Sequence, residues 1–257
     1  MNCLRPTLIR SALSLALGLS ACLACAETIT VSAAASLTDA FKEIAREYEA
    51  RHPGDTVLLN FGGSGTLLQQ IAKGAPVDVF ASADEHTMNK AEAGGMTVPG
   101  SRRIFATNTL VLIQPVSAKT RLDSLNALKD DGVHRIALGN PDSVPVGRYT
   151  RLALEAAGQW RAVQHKIILT QNVRQALDYV ARGEVEAGFV YGSDAALMKD
   201  KVKVSYVVPA DRPVAYPIAL LREGADKPAA TRFLKLVVSP AGQDVLARYG
   251  FERAAGR

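Results

Sequence analysis

A chain of 257 residues with 48% hydrophobic and 21% charged residues has ordinary globular composition, and length for one large domain or two lobes of roughly 100–130 residues. With Arg5 and Arg10 of the leader set aside, 28 Lys and Arg stand against 25 Asp and Glu, a net charge of +3. The basic residues are interspersed with acids, so the clustered positive surface of a nucleic-acid binder has no support here.

The leader comes first along the chain. Arg5 and Arg10 precede an apolar run at 12–19, and small residues end in Ala24-Cys25-Ala26. A charged start, an apolar stretch too short to span a bilayer and an A-x-A site read as a secretory signal, residues 1–26, removed after Ala26. Leu19-Ser20-Ala21-Cys22 also resembles a bacterial lipobox, which would instead leave Cys22 as a lipidated N-terminus. Either route places the protein outside the cytoplasmic membrane. Cys3, Cys22 and Cys25 all lie in this leader, so a mature chain from Glu27 has no disulfide, thiolate chemistry or Cys-based metal site.

Beyond it, residues 28–32 alternate as a strand, and Leu37, Phe41, Ile44, Ala45 and Tyr48 recur at helical spacing. A strand at 55–61 is followed by a helix opened by Leu67, Leu68 and Ile71 and stopped by Gly74. A strand at 77–81 leads to a helix at about 84–93. The second half repeats the rhythm with strands at 109–113, 135–138, 187–191 and 202–208. Helices are predicted at 149–157, at 173–181 and, last, at about 229–238, before a closing segment Tyr249-Gly250-Phe251. Strands alternating with helices imply βαβ units and parallel sheets covered on both faces, divided between two α/β lobes.

Five short segments place a hydroxyl or a free backbone N–H where a strand ends or a helix begins: 33–40, 61–67, 145–147, 172–174 and 190–194. Helix N-termini carry unpaired N–H groups and the positive end of the macrodipole, so several of them converging on one cleft would hold a small oxyanion without a cation. Ser36 alone reads as an N-cap, but Ala33-Ala34-Ala35 before it leaves room for a ligand against the backbone. Gly62-Gly63-Ser64-Gly65-Thr66 is neither a Walker loop nor a G-x-S-x-G elbow. It offers a run of amides with the Ser64 and Thr66 hydroxyls, which suits an anion. His52, His86, His134 and His165 are dispersed, without metal-ligand spacing. Arg148 and Arg174 are expected at the rim, raising the on-rate rather than pairing with the anion. Asp194 reads as a helix cap. No Ser-His-Asp set or carboxylate pair stands out.

Together, Ala33-Ala34-Ala35-Ser36-Leu37-Thr38, Gly74-Ala75-Pro76-Val77-Asp78-Val79-Phe80-Ala81-Ser82-Ala83-Asp84 and Gly188-Phe189-Val190-Tyr191-Gly192-Ser193-Asp194-Ala195 resemble the periplasmic molybdate-binding proteins of ABC-type molybdate importers. The resemblance runs from Thr28 to Phe251 and ends in Arg248-Tyr249-Gly250-Phe251; the motifs are weak singly and specific in their order and spacing. It implies the two-lobed type II periplasmic binding protein fold, an α/β architecture in which each lobe is a mainly parallel sheet flanked by helices. Two crossovers, near Thr107-Asn108 and 211–215, would leave one lobe at 27–107 and 215–257 and the other at 108–214.

By the same resemblance a tetrahedral dianion, molybdate or tungstate, is held by Ser36 and Ser64 through hydroxyl and N–H. The other contacts are the backbone N–H of Val146 and Val173 and the phenol of Tyr191. No cofactor and no metal beyond the molybdenum of the anion is implied, and no enzymatic activity. The partner is an inner-membrane ABC permease, and the chain is expected to be a monomer. Two departures stand out: Val146 occupies a position where the family often has Ala, and Gly63 and Gly65 flank Ser64 where relatives can carry Ser. A neutral donor cage discriminates by protonation and by size, since a protonated phosphate finds no acceptor in it, at about 1–3 kcal/mol. The alternatives are a receptor for sulfate or another tetrahedral oxyanion, a periplasmic hydrolase using Ser36 or Ser64, and a sensor lobe of the same fold.

Overall fold

The computed structural model describes residues 26–254. The leader, with its lipobox and three cysteines, falls outside them except for Ala26. In chain order the strands are β1 (Thr28–Ala34), β2 (Thr56–Gly62), β3 (Val79–Ala81), β4 (Arg103–Asn108), β5 (Leu110–Pro115), β6 (Ile136–Gly139), β7 (Ile167–Thr170), β8 (Ala187–Tyr191), β9 (Val202–Val207) and β10 (Val214–Leu220). The helices are α1 (Thr38–Arg51), α2 (Ser64–Ala72), α3 (Glu85–Ala93), α4 (Pro145–Ala156), α5 (Trp160–Val163), α6 (Val173–Ala181), α7 (Gly192–Leu197), α8 (Pro228–Val238) and α9 (Pro240–Arg248).

Two five-stranded sheets result, ordered β2-β1-β3-β10-β4 and β7-β6-β8-β5-β9. The chain leaves the first sheet after Asn108, enters the second at Leu110, and returns between Val207 and Val214. Both sheets are mixed rather than mainly parallel. In the first, β1 pairs in parallel with β2 and β3, whereas β10 runs antiparallel to β3 and β4. In the second, β6 is parallel to β7 and β8, whereas β5 is antiparallel to β8 and β9. The crossings account for this. Strand β4 runs towards the boundary between the sheets and β10 starts from it, Val214 opposite Asn108; β5 starts from the boundary and β9 ends there, Val207 opposite Val111.

Six elements escape the periodic reading: β4, β7, β10, α5, α7 and α9. Strand β10 contains Pro217, normally a sign against a paired strand. The register shifts between Tyr216 and Pro217, and a bulge is where a residue without an N–H is tolerated. Helix α9 follows α8 directly, with Ser239 between them accepting the N–H of Gly242 at 3.3 Å and Pro240 at the first helical position. Helix α4 begins at Pro145, four residues before the predicted start, for the same reason. That shift puts Val146 in a first helical turn.

Helix α1 buries Ala40, Phe41, Ile44, Ala45 and Tyr48, the stripe its spacing predicts. Phe41 packs edge-on against Phe233 of α8, ring centroids 6.1 Å apart. Where the sheets meet, Tyr216 of β10 is fully buried between Phe105, Tyr191 and Phe251, with centroids 6.3, 5.7 and 5.3 Å away. The closing segment thus lands on the crossovers: Phe251 covers Tyr216, and Glu252 bridges Thr107 of β4.

Candidate functional site

Every residue expected at the site lies at or beyond the carboxyl end of a strand, where open α/β sheets place ligands. A 3-10 turn, Ala35–Leu37, links β1 to α1 and carries Ser36. Gly63 is the N-cap of α2 and Ser64 its first residue. Val146 follows Pro145 at the start of α4, Val173 opens α6 after its Asn172 cap, and Tyr191 ends β8. The structure brings all five, Ser36, Ser64, Val146, Val173 and Tyr191, onto the wall of one narrow cleft between the sheets. Ala35, Gly63, Ala83 and Val144 complete much of the lining. Apart from Asn172 the wall is small, apolar or hydroxylic, and it carries no charged side chain.

The donors differ in how they are held. Ser64 Oγ accepts the N–H of Ala83 at 3.0 Å, which leaves its proton free. Ser36 Oγ lies 3.1 Å from the hydroxyl of Tyr216. Among the described residues the backbone N–H groups of Val146 and Val173 have no acceptor in the protein, as the first turn of a helix dictates. Tyr191 is buried, and its hydroxyl is the sole buried side-chain polar atom among the described residues without a hydrogen-bond partner. Burial pushes its ionisation well above the ordinary phenol value, so the group stays protonated and can donate. Leaving such a group unpaired costs about 1–3 kcal/mol, a cost that a bound acceptor would remove.

Thr66, expected to add a hydroxyl, is exposed and outside the cleft wall. Helix α2 carries it round to the solvent side, two residues on from Ser64. The amide of Gly65 is likewise taken: it donates to the carbonyl of Ser143, in the loop before α4, at 2.9 Å. A Cβ at Gly65 would stand 2.7 Å from that oxygen, so the glycine allows the two sides to touch.

Arg148 and Arg174 are not free rim charges. Arg148 Nε donates to Asp84 Oδ2 at 2.9 Å and Nη2 to Thr87 Oγ1 at 2.8 Å. Arg174 gives Nη1 to Asp39 Oδ2 at 2.8 Å, Nε to Asp194 Oδ1 at 2.7 Å and Nη2 to the Ser36 carbonyl at 3.1 Å. Each reaches from a helix of the second sheet to the elements of the first, and its carboxylate partners cancel the field that would steer an anion. Asp194 does cap: its Oδ2 accepts the N–H of Tyr191 at 3.3 Å. Its complete burial pushes the carboxyl up to about 6 despite Arg174. The four histidines stay apart, and among the described residues no three His, Cys, Asp or Glu side chains gather as a metal site.

Sequence reasoning passed over Ala83, Tyr216 and Asn108. The Ser82-Ala83-Asp84 turn belongs to a motif already singled out; Tyr216 and Asn108 carry no local signal, since the hydroxyls they reach, those of Ser36, Ser193 and Tyr216, belong to residues distant in the chain.

A model of the bacterial extracellular solute-binding proteins matches residues 29–252. The molybdate-binding protein ModA of Haemophilus influenzae is 37% identical over 255 residues, 95% of this chain and 97% of that protein. ModA of Escherichia coli is 36% identical over 231 residues, 87% and 88% of the two chains. The solved periplasmic molybdate-binding protein of Azotobacter vinelandii superposes with a TM-score of 0.77 at 25% identity, covering 88% of this chain and all of that one. The chain belongs to the bacterial extracellular solute-binding proteins, within the ModA family.

Proposed function

We propose that this chain captures molybdate outside the cytoplasmic membrane and delivers it to an ABC permease for import. Two lobes, 27–107 with 215–257 and 108–214, close over the dianion. Ser36 and Ser64 donate from one lobe through hydroxyl and N–H; Val146 and Val173 donate N–H, and Tyr191 its phenol, from the other. Tungstate, of nearly the same size, binds alike. The protein acts as a periplasmic monomer after cleavage at Ala26, lipid anchoring through Cys22 being the alternative route.

The observation that carries this reading is the buried, unpartnered hydroxyl of Tyr191, a residue that lines the same cleft as the free first-turn N–H groups of Val146 and Val173. A hydrolase is disfavoured by the partners of the serines. Ser64 leans on a backbone N–H and Ser36 on a phenol, so neither hydroxyl has a base to take its proton. Sulfate is ionised but smaller, so its hydrogen bonds in a cage cut for longer metal–oxygen bonds are stretched.

Calorimetric titration tests the proposal. Molybdate and tungstate should bind below about 1 μM, with sulfate and phosphate weaker by at least about a hundredfold, some 2.7 kcal/mol. Equal thermal stabilisation by sulfate and molybdate would sink it.

A further inference from the structure

We propose that Tyr216, with Asn108 behind it, occupies a lone pair of Ser36 and so frees this serine's proton for the cleft, a selectivity element that rests on the oxyanion-receptor reading above. The orientation of the Asn108 amide is set by the backbone. Its Oδ1 accepts the N–H of Thr109 at 2.9 Å and that of Ser193 at 3.4 Å. Its Nδ2 therefore faces two hydroxyls, donating to Ser193 Oγ at 2.8 Å and lying 3.5 Å from the Tyr216 oxygen.

An amide NH2 only donates. The Tyr216 oxygen accepts from it, and the single phenol proton goes to the remaining neighbour, Ser36 Oγ at 3.1 Å. With a lone pair engaged there, Ser36 turns its own proton to the cleft. Aligned donors of this kind also polarise one another. Burial holds the Tyr216 phenol protonated, so the direction does not reverse with pH. Ser64 reaches the same state through the Ala83 N–H. A fully ionised oxyanion matches two such hydroxyls. A proton-bearing one needs an acceptor, and a serine that turned its remaining lone pair to that proton would withdraw its own proton from the anion.

The ring of Tyr216 fills the space between Phe105, Tyr191 and Phe251, and Tyr216→Phe keeps that packing while removing the hydroxyl. The test is calorimetric titration of the parent, Tyr216→Phe, Ser36→Ala and the double variant, each shown by circular dichroism to be folded. The ligands are molybdate and, in slightly acidic buffer, inorganic phosphate measured by competition. Tyr216→Phe should weaken molybdate about tenfold without weakening phosphate, so the preference for molybdate falls at least about tenfold. In the Ser36→Ala background the same change should do nothing further to molybdate. An unchanged preference, or an equal loss in both backgrounds, overturns the proposal and leaves the receptor reading standing. A parent that binds no molybdate overturns that reading, and this one with it.

Discussion

On the side of the first sheet the cleft is walled by two serine hydroxyls, each already touching another polar group; on the side of the second it is walled by helix-end N–H groups and one phenol with no partner. A hydroxyl rotates, so it becomes a dependable donor only when a fixed neighbour occupies its lone pair. A first-turn N–H is aimed by covalent geometry and needs no such support. The first half should therefore be sensitive to side-chain chemistry at and behind the serines. At Val146 and Val173 the second should tolerate side-chain change and fail only when an N–H is removed.

The tie between the halves should respond most strongly when broken. Arg174 joins Asp194, fully buried, to Asp39 and the Ser36 carbonyl. Arg174→Ala strands the Asp194 carboxylate and is expected to cost about 3 kcal/mol of stability, read as a lower chemical-denaturation midpoint. The same carboxyl leaves a pH signature. Its folded value of about 6 exceeds the ordinary 3.8, so the native state binds this proton more tightly than the unfolded chain. The stability it contributes is full below the unfolded value and is lost as pH rises through the folded one. The stability difference between the parent and Asp194→Asn should follow that window, and a difference independent of pH would refute the assignment.

Next in size is Ser64→Ala, which removes a charge-assisted donor and is expected to weaken molybdate by about 1.5–3 kcal/mol. It also leaves the buried N–H of Ala83 without its acceptor, so thermal stability should fall in the absence of ligand. Parent-like binding would show the Gly-Ser-Gly stretch to be only a turn. Smallest is the pair at Val146. Val146→Pro deletes the N–H and should cost at least about 1.5 kcal/mol of binding once circular dichroism confirms the fold. Val146→Ala keeps the N–H and should leave affinity nearly as it is. Should both variants bind alike, the second half of the cleft is not built as described.

The outline of the molecule was readable wherever the signal is local. The apolar stripe of α1, the small residues before Ser36 and the Asn172 cap of α6 are each encoded within a few residues. The mixed order of the sheets was not, because the direction of β10 follows from the chain's return across the boundary, and Pro217 masks its strand pattern. Nor was the fate of the two arginines readable. Their position in sequence beside the site suggests a free rim charge, whereas their carboxylate partners Asp84 and Asp39 sit 64 and 135 residues away.

Local sequence determined the α/β alternation and the strand-to-helix turns that border the cleft, since periodicity, helix starts and glycine turns act over one or two turns of chain; the five donor residues were implied by the family resemblance. Tertiary structure alone decided which of the available donors face inward. It turned Thr66 to solvent, spent the Gly65 amide on Ser143 and set Tyr216, 180 residues from Ser36, behind that serine's hydroxyl. A hydroxyl's direction depends on what stands within hydrogen-bond distance of it, and that neighbour exists only once two sheets and their crossovers have been folded together.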